Sequence, residues 1–163
     1  LETITGERTI AIPPRRERQI GSFTVTPFNV PHDTEIECYG YLIKHEEMGK
    51  LLFLTDLEYC RYDFSDIKVE HIMVEANYSM GLVDRNEPNY EHRLRGHMSL
   101  GTALKFIRKN DNPALRNVVL IHLSDTSGNP ALFLQRTKEK IEYGTNVYVA
   151  EKGLEVDMNL CPF

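Results

Sequence analysis

Four apolar runs in this chain end on residues that can hold a metal ion or carry a proton. "FNVPHD" reaches His32, "LLFLTD" reaches Asp56, "IMVEAN" reaches Glu75, and "VVLIHLS" reaches His122. A β-sheet fixes the ends of its strands rigidly, and side chains there project into the loop layer where a ligand can enter. Two imidazoles and a carboxylate at one sheet edge form a nitrogen and oxygen donor set suited to zinc, manganese or iron. Each residue alone has a plainer explanation. A histidine at a strand end can be a hydrogen-bonded structural residue, and an aspartate after a strand can close a turn. Glu75 is harder to set aside, because a carboxylate ending an apolar run must be paired to make its burial tolerable.

The elements that would position these residues follow from local pattern. "TIAIP" (8–12) reads as a short strand stopped by two prolines, and "PPRRERQIG" as a basic connection. Residues 22–30 alternate apolar and polar as a strand, with Pro27 marking an edge or a bulge. "CYGYLIKH" and "GKLLFLTD" flank the polar turn "EEMGK" and predict a hairpin. A fourth strand covers 72–75, and "NVVLIHLS" is a fifth. Ser99 is an N-cap ahead of Leu100, Ala103, Leu104 and Ile107 at helical spacing. Asn129 and Pro130 open a second helix carrying Leu132, Phe133 and Ile141, with Gly144 near its end. "NVYVAEKGLEVDM" predicts a closing hairpin around Lys152 and Gly153. No linker interrupts the order, so residues 1–163 read as a single domain.

Composition narrows the function classes. The chain has 163 residues, 41% hydrophobic and 26% charged, with a formal net charge of -5. An acidic chain has no overall basic face for long nucleic acid, so any such face is local, and a small substrate is favoured. No stretch approaches the ~20 apolar residues of a membrane span, and the start carries no signal-peptide pattern. Cys38, Cys60 and Cys161 are dispersed and form no Cys-x-x-Cys pair, which fits reduced structural thiols and a cytoplasmic protein. The chain starts at Leu1 rather than Met, which reads as a fragment of something longer.

The ordered set "VPHD", "YGYLI", "LLFLTD", "VEANY", "GHMSLGTA" and "VVLIHLS" resembles the C-terminal half of the metallo-β-lactamase-fold hydrolases, in the branch with ribonuclease Z-like and phosphodiesterase-like enzymes. The resemblance runs from about Phe23 to about Val156. It implies an α+β chain, the C-terminal sheet-plus-helices half of an αββα sandwich. It implies metal ligands at His32, Asp56 and His122, and two divalent ions in a complete protein, zinc with manganese or iron as alternatives. It also implies a proton-donating pair, Glu75 and His97. Arg93 and Arg95 stand near His97 in sequence and could contact substrate phosphate, or simply be solvated.

The His-x-His-x-Asp-His motif of those hydrolases is absent. His45, His71 and His92 are isolated in sequence, and no His-x-His occurs. Two expectations follow. One is a metal-dependent phosphodiesterase or nuclease acting on a phosphodiester or nucleotide substrate, inactive as this fragment. The other is a non-catalytic module binding a nucleotide or a protein on a degenerate half-fold. In either case one sheet face is left apolar and uncovered. It awaits the missing N-terminal half or a second copy of the chain, making a homo-oligomer, with no role for a membrane.

Overall fold

The computed structural model describes residues 11–32, 37–88 and 90–161. Seven strands form one mixed sheet in the order in which the chain reaches them. β1 (Arg18–Ile20), β2 (Phe23–Val30), β3 (Cys38–His45) and β4 (Gly49–Leu54) are antiparallel neighbours. β5 (His71–Glu75), β6 (Asn117–Ile121) and β7 (Asn146–Val149) are then added parallel to β4 and to each other. The change of direction follows from connection length. A tight turn joins β3 to β4, with Gly49 in the left-handed region at φ 78°. Parallel neighbours need crossovers: α1 (Tyr90–Gly96) and α2 (Leu100–Asn110) lie between β5 and β6, and α3 (Pro130–Lys138) between β6 and β7.

The helix caps are those the sequence specifies. The Ser99 hydroxyl accepts the Thr102 N–H at 3.1 Å. The Asn129 side chain accepts the Leu132 N–H at 3.0 Å, with Pro130 in the first turn. Both devices satisfy N–H groups that a helix leaves orphaned. The core gathers one sheet face, Leu52, Leu54, Ile72, Val74, Val118 and Leu120, with Phe106 and Ile107 of α2 and Phe133 of α3. Gly40 belongs to that face. A β-carbon there would lie 2.5 Å from the Phe28 ring and 2.8 Å from Leu54, so only glycine fits.

Several expectations need correction. The segment after β7 forms no hairpin: β7 pairs parallel with β6, and residues 150–161 carry no strand. The β6–α3–β7 crossover dictates this direction, which local alternation cannot reveal. The second helix ends at Lys138, before Ile141 and Gly144. Residues 8–10 of "TIAIP" lie outside the described residues, and 11–12 are not strand. The basic connection contains β1, and the helix α1 was not anticipated. Pro27 does sit in β2. Its carbonyl accepts the Arg15 N–H at 2.7 Å on the side away from β3, so its missing N–H costs that ladder nothing.

Strand direction decides where chemistry can occur. β3 is antiparallel to both β2 and β4, so β2 and β4 run the same way, as do β5 and β6. Their C-terminal ends therefore share one sheet edge, where open α/β sheets commonly bind ligands. Among the described residues, no helix is long and apolar enough to cross a membrane.

Candidate metal centre

Asp56, Glu75, His97 and His122 each place one ligand atom within 4.8 Å of the others. Glu75 closes β5 and is fully buried. One of its oxygens lies 2.7 Å from His97 Nδ1, and the other accepts the Leu57 N–H at 3.2 Å. This pairing is what lets a carboxylate end an apolar strand. His97 stands between α1 and α2. The hydrogen bond to Glu75 raises the His97 pKa above the usual imidazole value, against the opposing effect of its burial.

Asp56 and His122 follow β4 and β6 and share a backbone peculiarity. Both are in the left-handed region, at φ 53° and 56°. That conformation is uncommon outside glycine and turns each chain sharply out of the sheet. The Thr55 hydroxyl donates to Asp56 Oδ2 at 3.1 Å. His122 Nδ1 lies 3.4 Å from Asp56 Oδ1 and 3.5 Å from Glu75 Oε1. Donors at ~2.1 Å from a shared tetrahedral ion stand ~3.4 Å apart. The spacing of His122 from Asp56 therefore fits a shared divalent ion, whereas Glu75 Oε1 is engaged by His97 at 2.7 Å, the separation of a hydrogen bond.

His32 lies just beyond the C-terminal end of β2 and outside this four-donor group, but its ring centroid is 5.6 Å from that of His97. Its Nδ1 is 2.6 Å from the Gly96 carbonyl. Metal-ligating histidines characteristically spend one ring nitrogen on such a partner, which orients the other. His92 is isolated in sequence but not in space: α1 brings its ring to 6.1 Å from His32 and 5.8 Å from His97. Sequence pattern missed it because α1 is only seven residues long and shows no apolar periodicity to mark it as a helix.

A polar cavity of about 260 Å³ opens over the site, lined by Asn77, His92, Arg93, His97, His122 and Ser124 among others. Arg93 reaches it while pairing with Glu87 at 2.8 Å and bonding the Ser127 hydroxyl. Arg95 does not line the cavity; it is exposed and lies 3.4 Å from Glu91 one helical turn away. Ser124 serves as a turn residue, its hydroxyl accepting the Thr126 and Ser127 N–H groups. No cysteine joins the donor group. The half-buried Cys60 thiol is pushed up to about 11 by desolvation, which makes it inert.

No family model matches the chain, and no curated protein matches it by sequence. Solved structures do match by fold. The metallo-β-lactamase fold protein YhfI from Bacillus subtilis superposes with a TM-score of 0.65 at 19% identity, over 89% of this chain and 54% of that one. Igni18, a metallo hydrolase from the archaeon Ignicoccus hospitalis, gives 0.66 at 14% identity, over 94% and 62%. The short form of human tRNase Z gives 0.57 at 16% identity, over 88% and 45%. The chain thus has the metallo-β-lactamase fold and spans about half the length of these proteins. Its sheet and helices match one half of that architecture.

Proposed function

We propose that this chain is the C-terminal half of a metal-dependent phosphodiesterase or nuclease. The observation that carries this reading is the convergence of ligand atoms of Asp56, Glu75, His97 and His122 to within 4.8 Å of one another, beside a cavity that His97 and His122 line, with the buried carboxylate already bonded to an imidazole. Fold likeness to a metallo hydrolase and to a tRNase Z supports it by analogy.

In this reading Asp56 and His122, with His32, hold divalent metal. Metal bound there supplies Lewis-acid polarisation of a phosphoryl oxygen and neutralises charge as phosphorus is attacked. The chain's own contribution is the proton. Hydrolysis adds the oxygen of water to phosphorus and breaks the bond to the leaving oxygen, which must be protonated. His97, kept protonated toward neutral pH by Glu75, gives that proton and becomes neutral imidazole, and the proton lost by the attacking water passes through solvent to restore the imidazolium. Arg93, beside it, faces the phosphate.

The donors are few for two ions. Full activity requires further ligands from a His-x-His-x-Asp-His segment, and this chain alone is inactive. The expected outcome is zinc or manganese binding without turnover of bis(p-nitrophenyl) phosphate by this chain, and turnover once that segment is supplied. There, Asp56→Ala removes both metal and activity. His97→Ala keeps the metal and slows turnover by about 10²–10⁴-fold, the usual worth of a general acid. Wild-type turnover by either variant counts against the assignment. Nucleotide binding without turnover in the completed protein would favour the non-catalytic module.

A further inference from the structure

The residue after Glu75 and Ala76 is Asn77, and the chain from Ala76 to Ser79 runs between the two loops that carry His97 and His122. On one side the Asn77 N–H donates to the Met98 carbonyl at 2.9 Å, and the Leu100 N–H to the Tyr78 carbonyl at 2.7 Å. On the other side the Ala76 N–H donates to Ile121 at 3.0 Å, the Ser124 N–H to Asn77 at 2.8 Å, and the Ser79 N–H to Ser127 at 3.0 Å. The segment therefore works as an extra strand between the two histidine loops, although its residues fall outside the regular sheet.

Within this arrangement one side chain meets the backbone of a candidate ligand. The Asn77 amide donates to the His122 carbonyl at 2.8 Å. Asn77 is buried, with 7% of its surface exposed. The left-handed φ of 56° at His122 swings the chain out of the β6 ladder, so its carbonyl needs a donor from elsewhere. Asn77 supplies that donor and opposes relaxation of His122 to ordinary extended backbone, which would redirect the imidazole away from Asp56 and Glu75.

We infer that Asn77 is a positioning residue: its amide fixes the backbone of His122 and thereby places the imidazole for metal binding. The metal consequence rests on the reading of His122 given above, but the backbone consequence does not. Asn77→Ala removes the donor. Asn77→Asp keeps the shape, removes the donor, and serves if the alanine variant folds poorly. Two measurements on the purified chain decide the matter. In NMR spectra, a residue with positive φ shows a strong intraresidue amide-to-α-proton NOE; His122 shows it in the wild type and loses it in both variants. By chelator competition, zinc affinity falls about 10–100-fold in Asn77→Ala, the usual effect of losing a partner that orients a ligand. Thr137→Val is the comparison, because it deletes a buried hydrogen bond to Phe133 within α3, remote from the site. It lowers thermal stability but leaves zinc affinity unchanged. An unchanged NOE at His122, or wild-type zinc affinity in Asn77→Ala, overturns the inference. If the wild-type chain binds no zinc, the metal reading falls, and the NOE comparison alone decides the role of Asn77.

Discussion

His97 and His71 lie at opposite ends of β5 and respond to pH with opposite sign. His97 has its pKa raised by the Glu75 carboxylate. The stability from that pair is fully present below pH 6.5, the ordinary imidazole value, and is lost as pH rises through the higher folded value. His71 has its pKa lowered from 6.5, chiefly by desolvation. Its Nε2–H donates to the Met48 carbonyl at 3.0 Å, and its Nδ1 accepts from the Asn117 amide at 3.0 Å. The neutral ring satisfies both of these bonds, and burial outweighs the backbone groups of Met48 and Met158, which favour the charged form. The stability of that arrangement is present above pH 6.5 and is lost as pH falls through the lower folded value. In NMR titrations of the metal-free protein, His97 is expected to titrate above 6.5 and His71 below it. Glu75→Gln should return His97 toward 6.5 and leave His71 unchanged. A His97 that titrates below 6.5 in the wild type would show that Glu75 is not holding the imidazolium.

At the scale of elements, α3 is the crossover that makes β7 parallel, and Phe133 is its anchor. Phe133 is fully buried in the core that joins the helices to the sheet. Phe133→Ala is expected to cost about 3–5 kcal/mol, read from urea unfolding, because it leaves a ring-sized void in a close-packed interior. A cost below about 1 kcal/mol would mean that α3 is not held by this residue, since deleting a buried aromatic ring seldom costs so little. What could be read from the sequence follows the same division. β2 to β6 and the starts of α2 and α3 were legible, because alternation, a polar turn and caps at Ser99 and Asn129 are local signals. So was the gathering of Asp56, Glu75 and His122, since each ends an apolar run; His32 ends one too, but it lies outside that donor group. The direction of β7 was not legible, because a crossover sets it and the alternation of residues 146–156 suits either direction. α1 is seven residues long and too polar to show a helical apolar pattern. Asn77 was hidden for another reason: its side chain acts on a backbone carbonyl 45 residues away, and no spacing pattern encodes that.

Among the described residues, the helices pack on one face of the sheet and leave the other without a helix. On the uncovered face, the register aligns Tyr41, Phe53, Met73, Val119 and Tyr148 in a single apolar row across five strands. Val119 is buried, while Tyr41, Phe53, Met73 and Tyr148 are only partly so. Among the described residues, the chain after β7 runs along the start of β6 to the β3–β4 turn: Arg116 donates to the Asn159 and Leu160 carbonyls, Asn117 to that of Asp157, and the Leu160 N–H to that of Glu47. A half-exposed row of this width suits a second sheet packed face to face, as in a sandwich, and in water it favours association. The chain alone is therefore expected to self-associate through this face. Sedimentation should show a concentration-dependent dimer, and Phe53→Lys should shift it to monomer while far-UV circular dichroism stays the same. A segment bearing a His-x-His-x-Asp-His motif, if it forms a second sheet on this face, should compete with self-association and yield a one-to-one complex that Phe53→Lys weakens. A wild-type chain that stays monomeric over a wide concentration range, with or without that segment, would mean that this row is covered in another way and that the sandwich is not completed here.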